Sequence, residues 1–193
     1  VNQKTIFYIL IAFVVFFVVT QLFMSFGRKP PFEIVYYRSR MEYDYDGSAT
    51  FTATAGLYFK DRQKEEEYKK QYAENSAGTF QEYFDQVSEK VGREISVISV
   101  DSTISSRSGV LEVIETARLS NIATVQDGLV DTSLKDISIY SVKDSEVTMA
   151  LPRDAIVVSA QPTPTKVVEN QLYWYPQEES MAFPAVRFKK GED

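Results

Sequence analysis

Residues 35–59 read VYYRSRMEYDYDGSATFTATAGLYF, and their periodicity decides what kind of domain the chain can form. Val35, Tyr37, Met41, Tyr43 and Tyr45 alternate with Arg38, Arg40, Glu42 and Asp44. A period of two sends successive side chains to opposite faces, so this run is a strand with one buried face. Asp46-Gly47 supplies the turn chemistry of a tight hairpin. Phe51, Ala53, Ala55, Leu57 and Phe59 then alternate with Thr50, Thr52 and Thr54 in the returning strand.

Beyond the hairpin the period changes. Glu65 with Lys69 and Glu66 with Lys70 are i,i+4 pairs of the favourable orientation on an exposed helix face. Asn75-Ser76-Ala77-Gly78 interrupts the helix, and Thr79 with Glu82 reads as a capping box that restarts it. Phe80, Phe84, Val87 and Val91 form an apolar stripe at helical spacing, and Gly92 ends the segment. The first helix is expected to be mostly solvated and the second to pack on the sheet. Strands are predicted at 94–104, 110–119, 136–142, 146–151, 154–160, 166–175 and 184–189. Arg107-Ser108-Gly109 makes a hairpin between the first two, and Pro152, Pro162 and Pro164 fall between runs, where a missing N–H costs no ladder bond. Residues 120–135 give no pattern beyond Asp127-Gly128, which fits another hairpin turn. Runs of strands with one helical insertion predict an α+β fold. Residues 30–193 should form a mainly antiparallel, sandwich-like β domain with its helical insertion after the first hairpin.

Toward the N-terminus lies a different kind of segment. Ile6–Val19 is an unbroken apolar run of 14 residues, and only Thr20, Gln21 and Ser25 interrupt apolar character before Phe26. As one helix, residues 6–26 would be about 31 Å long, matching a hydrocarbon core of about 30 Å. This predicts one N-terminal transmembrane helix, with residues 1–29 as signal-anchor and linker and the lipid bilayer as partner through residues 6–26. A cleaved signal peptide is the rival reading, since Ser25 and Gly27 place small residues before Arg28. Pro30-Pro31 bars continuation of the helix and keeps the domain close to the membrane. Long domains translocate largely regardless of flanking charge. The expected arrangement is a single-pass cell-membrane protein, N-in and C-out, with the bulk of the chain extracytoplasmic. Gln21 lies near the boundary, where it can reach the headgroups.

Composition narrows the chemistry. The 193 residues carry 21 Lys and Arg against 27 Asp and Glu, a net charge of −6. Residues 1–29 hold three of the basic groups and no acidic one, leaving residues 30–193 with 27 acidic against 18 basic groups, a net −9. So acidic a domain is a poor match for nucleic acid, whose phosphates need a basic surface. Cys and His are both absent from the chain. That excludes disulfides, thiolate nucleophiles, imidazole or thiolate metal sites and the usual neutral-pH general base.

The remaining constellations are modest. Asp44-x-Asp46-Gly47 resembles the start of a calcium loop but lacks the later oxygen ligands, and reads as a hairpin turn with solvated carboxylates. Two carboxylates can perform acid/base work without His. Here Glu65, Glu66 and Glu67 lie on a helix surface, and Glu112 and Glu115 are expected on strand exteriors, so no catalytic residues, metal ligands or cofactors are predicted. Aromatics are abundant, with 12 Tyr, 13 Phe and one Trp. Tyr36, Tyr43, Tyr45, Tyr173, Trp174 and Tyr175 are the candidate partner surface, because amphipathic aromatics suit docking or stacking. The competing reading is sheet core on one face and tyrosine exteriors on the other.

Leu151-Pro152-x-Asp154-Ala155, Pro162-Thr163-Pro164 and Glu169-Asn170-Gln171-Leu172-x-Trp174 follow a pattern of prokaryotic surface ectodomains, where a strand after Leu-Pro leads through a Pro-containing turn to a Trp-bearing strand. The whole chain resembles an uncharacterised family of short bitopic membrane proteins, found mainly in thermophilic bacteria, whose domain has no known function. The resemblance implies no activity and no site residue. The expected function is a non-enzymatic binding or structural component of the cell envelope, with an envelope protein as partner. The alternative is a ligand-sensing or substrate-presenting accessory to a transporter subunit, with a pocket between helix 79–91 and the sheet.

Overall fold

The computed structural model describes residues 31–75, 78–135, 137–140, 144–177 and 180–191, without the side chains of residues 71, 73–75, 78–83 and 140. The apolar run 6–26 and most of the linker lie outside the described residues, as do the side chains of Thr79, Phe80 and Glu82. Among the described residues no helix is long and apolar enough to cross a membrane.

Strands β1 (Phe32–Tyr43) and β2 (Ala49–Phe59) pair antiparallel over almost their whole length. From Tyr37 onward the buried face is the one the alternation predicts: Tyr37, Ser39, Met41 and Tyr43 on β1, and Ala49, Phe51, Ala53, Ala55, Leu57 and Phe59 on β2. Val35, expected on this face, is exposed, because a register shift between Ile34 and Tyr36 turns Ile34 toward the core in its place. In the connecting loop the Asp46 carboxylate accepts the Ser48 N–H at 2.8 Å, and Gly47 takes φ +80°. The Gly47 carbonyl in turn accepts the N–H of Ala123 at 3.0 Å, fastening the hairpin tip to the start of the second sheet.

Helix α1 (Arg62–Asn75) opens on Asp61, whose Oδ1 accepts the Gln63 N–H at 2.9 Å as an N-cap. Lys69 is 2.9 Å from both Glu65 and Glu66, and with the Ser106 hydroxyl it holds the Glu65 carboxyl below its usual range. Only Tyr68 and Tyr72 of its described side chains are buried, one turn apart on the face toward the sheet. Helix α2 (Gly78–Val91) buries Phe84 and Val87 and half-buries Val91. Ser88 Oγ donates to the Phe84 carbonyl and accepts the Ile95 N–H, leading the chain back into the sheet.

β3 (Ser96–Arg107) and β4 (Val110–Ser120) form the second long hairpin, closed by Ser108-Gly109 with both residues at positive φ. The patternless stretch 120–135 holds a third, β5 (Thr124–Gln126) and β6 (Leu129–Asp131), turning on Asp127-Gly128 with both φ positive. Three-residue strands are too short to give a readable period, which is why only the turn was visible. The order continues β7 (Ser138–Tyr140), β8 (Ser145–Ala150), β9 (Ala155–Gln161), β10 (Lys166–Val168), β11 (Gln171–Trp174), β12 (Ser180–Ala182) and β13 (Ala185–Lys190). The run 166–175, expected as one strand, is a hairpin. Glu169 takes φ +53° and the Asn170 amide donates to the Leu151 carbonyl, so the chain reverses at a polar pair inside a β-prone run.

Seven strands form one sheet in the order β10-β11-β8-β1-β2-β4-β3, four form another in the order β5-β6-β13-β9, and β12 pairs with β7. All pairs are antiparallel except β1 with β8, which run parallel. The large sheet's inner face carries Phe51, Leu57, Leu111, Val113, Leu119, Met149, Leu172 and Trp174. Each such fully buried aliphatic or aromatic side chain contributes about 1.5–3 kcal/mol. At the Phe32 and Phe59 end α1 covers this face, with Tyr68 5.6 and 5.5 Å from those rings. At the hairpin-tip end the four-stranded sheet takes over, with Phe188 6.0 Å from Tyr45. Arg93, after α2, donates to the Ile122 carbonyl and the Thr124 hydroxyl and so ties the helical layer to the smaller sheet.

A Cβ at position 47 would sit 2.7 Å from the Ala123 carbonyl oxygen on a backbone at φ +80°. Gly47→Ala is therefore expected to lower stability by about 1–3 kcal/mol, combining left-handed strain with a clash against backbone. Urea unfolding should show a lower midpoint at unchanged slope.

Candidate functional site

On β4 the apolar register runs Leu111, Val113, Glu115, Ala117, Leu119, all of them fully or almost fully buried. Glu115 thus occupies a core position, at 0 % exposure, and is the one charged residue type buried among the described residues. This corrects the expectation that Glu112 and Glu115 both lie on a strand exterior. Three residues apart on a strand, they point to opposite faces. Glu112 is the outer one and accepts the Tyr36 hydroxyl at 2.6 Å.

Small neighbours make room for the Glu115 side chain. Across the ladder it faces Ala53 on β2 and Ser102 on β3, and Ala53 faces Ser39 on β1. Over this shallow patch α1 lowers its two tyrosines, their rings stacked 6.2 Å apart. Tyr72 donates its hydroxyl proton to Glu115 Oε1 at 2.5 Å, and the Ser102 hydroxyl also bonds Tyr72. Glu115 Oε2 and the Tyr68 hydroxyl are buried without a hydrogen-bond partner among the described residues. Burial raises Glu115 to about 8, against a smaller opposing effect of the Tyr72 hydrogen bond. At neutral pH it is therefore largely a neutral carboxylic acid. Burial, with Glu115 nearby, pushes the Tyr68 and Tyr72 hydroxyls far above the ordinary phenol range. A protonated acid sealed under two tyrosines stores a proton and pins a helix; in this conformation nothing outside can touch it.

The six aromatics of the expected partner surface do not come together. Tyr43 and Trp174, 5 % and 2 % exposed, belong to the core, and Trp174 Nε1 donates to the Pro162 carbonyl at 2.9 Å. Tyr45 lies in the hairpin loop, donating to Asp154 at 2.8 Å, with Tyr175 exposed past the end of β11. Tyr36 and Tyr173 share the outer face of the large sheet. Tyr36 lies flat over Gly56, where any Cβ would overlap its ring, with the Arg38 guanidinium 5.4 Å above it. Burial and the Glu112 hydrogen bond raise its hydroxyl to about 12. Tyr173 stands under the Lys166 ammonium at 5.7 Å and donates to Gln171, which also accepts from Arg40. Between them one row crosses six strands: Tyr173, Thr148, Arg40, Thr52, Thr116, Asp101. Thr50 and Thr54 extend it along β2. The alternation marks these threonines as outward-facing, but only the sheet order aligns them with Arg40 and Tyr173.

Residues 32–189 match the family model described as Domain of unknown function (DUF4897). The chain belongs to this family. No curated protein matches it. Among solved structures it is similar to the NMR structure of the folded domain of the Mycobacterium tuberculosis LppM protein, at 11% identity and a TM-score of 0.41, over 84% of this chain and 91% of that one. The DUF4897 match begins with β1 and ends inside β13, so it takes in the Glu115 cluster and the whole outer face. Among the described residues no group of three or more acidic side chains could hold a metal ion, and Asp44 and Asp46 serve the hairpin turn.

The acidity of Glu115 fixes a pH dependence. Its folded value lies above its unfolded value of 4.5, so its contribution to stability is complete below about pH 4.5 and declines as pH rises toward 8. The decline is about 1.4 kcal/mol per pH unit across that window. Glu115→Gln keeps an acceptor for Tyr72 but cannot ionise. The stability difference between variant and parent should grow in the variant's favour from pH 5 to pH 8, measured by urea unfolding at each pH. Tyr72→Phe should cost about 1–3 kcal/mol by leaving Oε1 unpaired.

Proposed function

We propose that this chain is a non-enzymatic binding or structural component of the cell envelope. In this reading residues 6–26 anchor it in the membrane as a single pass, N-in and C-out, as in a bitopic protein of thermophilic source. The DUF4897 domain then stands outside the cytoplasm and meets an envelope protein or wall component. The observation that carries the reading is how the two parts join. β1, the middle strand of the seven, begins at Phe32, immediately after Arg28-Lys29-Pro30-Pro31. A tether that enters the central strand holds the large sheet within a few residues of the lipid.

The outer face supports the binding part. It is lined with threonines and charges, and exposed at Arg38, Glu42 and Arg118. Its polar groups are ordered in advance by the Arg40–Glu42 pair at 2.6 Å and the Tyr36–Glu112 bond, which lowers the cost of immobilising side chains on binding. The acid with shifted acidity, by contrast, is closed off beneath α1. The transporter-accessory reading has less support, because buried Phe84 and Val87 fill the side of α2 where its ligand would sit. The Lys/Glu-rich surface of α1 agrees with a thermophilic source.

With no native cysteine, Thr163→Cys in an exposed loop gives one reporter thiol. A membrane-impermeant maleimide should label it in intact cells, and the protein should stay in the membrane pellet after carbonate washing. Labelling only after lysis, or release by carbonate, overturns the anchoring and sidedness. Hydroxyl-radical footprinting should show Tyr36 and Tyr173 more protected in envelope vesicles than in purified protein. Equal protection overturns the outer face as the contact surface.

A further inference from the structure

Free sheet edges are templates for pairing with another chain, and proteins ordinarily blunt them with short strands, bulges, Lys or Pro. Most edges here are blunted. β5, β7, β10 and β12 have three residues each, and the pairing of β9 with β13 is broken by a register shift. β3 is different. It is the outermost strand of the seven, twelve residues long, and from Ser99 to Arg107 its pairing with β4 is regular. It contains no Pro and no Lys, and its only charges are Asp101 and Arg107. Neither forms an ion pair among the described residues. No described strand lies on its far side.

We propose that β3 pairs antiparallel with β3 of a second copy of this chain, centred on Ile104, so that two seven-stranded sheets join edge to edge. The charges select the register. With Ile104 on the two-fold axis, Asp101 of each copy stands directly opposite Arg107 of the other, giving two symmetry-related pairs on the outer face. Centring on Thr103 or Ser102 leaves both charges opposite uncharged residues, and centring on Asp101 sets like charges face to face. In the selected register Thr103 of each copy meets Ser105 of the other on the outer face, hydroxyl pairs of the kind that stabilise cross-strand neighbours. Ile104, half-buried on the inner face beside Val113, meets Ile104 of the other copy and extends the apolar face across the junction. The interface is isologous and closes at two subunits. The axis is perpendicular to the joined sheet, so the two β1 strands run in opposite senses, and tethers from both copies reach one bilayer when the sheet lies along it. The pairing itself does not depend on membrane anchoring.

The test uses the full chain in detergent. Directly opposed residues of an antiparallel pair have Cα atoms about 4.5–5.5 Å apart, within disulfide reach. Ile104→Cys, the sole thiol, should give a covalent dimer on mild oxidation. Thr103→Cys, displaced from its own counterpart by two residues, should not. In sedimentation velocity, D101R and R107D should each weaken self-association at least about tenfold, since each sets like charges opposite in two places. The D101R/R107D double variant should recover association close to that of the parent. Its recovery also shows that the single variants fold. Equal cross-linking at positions 103 and 104, single variants that associate like the parent, or a chain that stays monomeric at every soluble concentration would each overturn the proposal. The last result would leave the edge to an extended segment of another protein.

Discussion

The structure depends on one constraint: the inner face of β1, β2 and β4 is shallow along its middle. Ser39, Ala49, Ala53, Ala55 and Ala117 are all buried there, and none reaches far above the sheet. A face built only of large residues would hold the covering layer at a uniform distance. Here the covering side chains are the large ones. Tyr68 and Tyr72 come down from α1 at one end, and Phe188 with Val186 from the smaller sheet at the other. The hydrogen bond between Gly47 and Ala123 then fixes where the second sheet begins relative to the hairpin tip.

The same shallowness explains why a carboxyl group can sit in the core at all. Burying an ionised carboxylate without a counter-charge is costly, and the group responds by holding its proton. Glu115 does so, with one oxygen satisfied by Tyr72. A leucine there would pack without that polar demand, so its presence binds α1 to the state of a single proton. The helix that makes this contact is otherwise polar and solvated. Among the described side chains its docking rests on two aromatic rings, the Tyr72–Glu115 and Tyr72–Ser102 hydrogen bonds, and the Ser106 hydroxyl donating to Glu65 at 2.6 Å.

The two faces of the large sheet divide the labour. The inner face supplies the apolar burial and hides the Glu115 carboxyl. The outer face carries its threonines in rows held by the ladder, half-buried except for the buried Thr148, with Arg38, Glu42 and Arg118 exposed among them. Side chains fixed this way present a regular surface whose order follows the strand ladder.

Much of this was legible along the chain. The alternation from Tyr37 to Phe59 determined the hairpin, its buried face and its turn, because an unbroken period of two fixes which side chains point inward; the bulge that turns Val35 outward left no mark in the sequence. The break at Asn75–Gly78 marked the division of the helices, and Asp127-Gly128 marked a turn in otherwise unreadable sequence. Other features required the folded molecule. The parity of Glu115 with Leu111 and Val113 was present in the sequence, yet a glutamate in a strand is ordinarily solvated, and only the helix above it decides otherwise. The dispersal of Tyr43 and Trp174 into the core, apart from Tyr36 and Tyr173, follows from strand order. So do the parallel pairing of β1 with β8 and the isolation of β3 at the edge. Local periodicity sets which way a side chain faces, but which strands become neighbours is settled by long-range packing, and no local pattern encodes that.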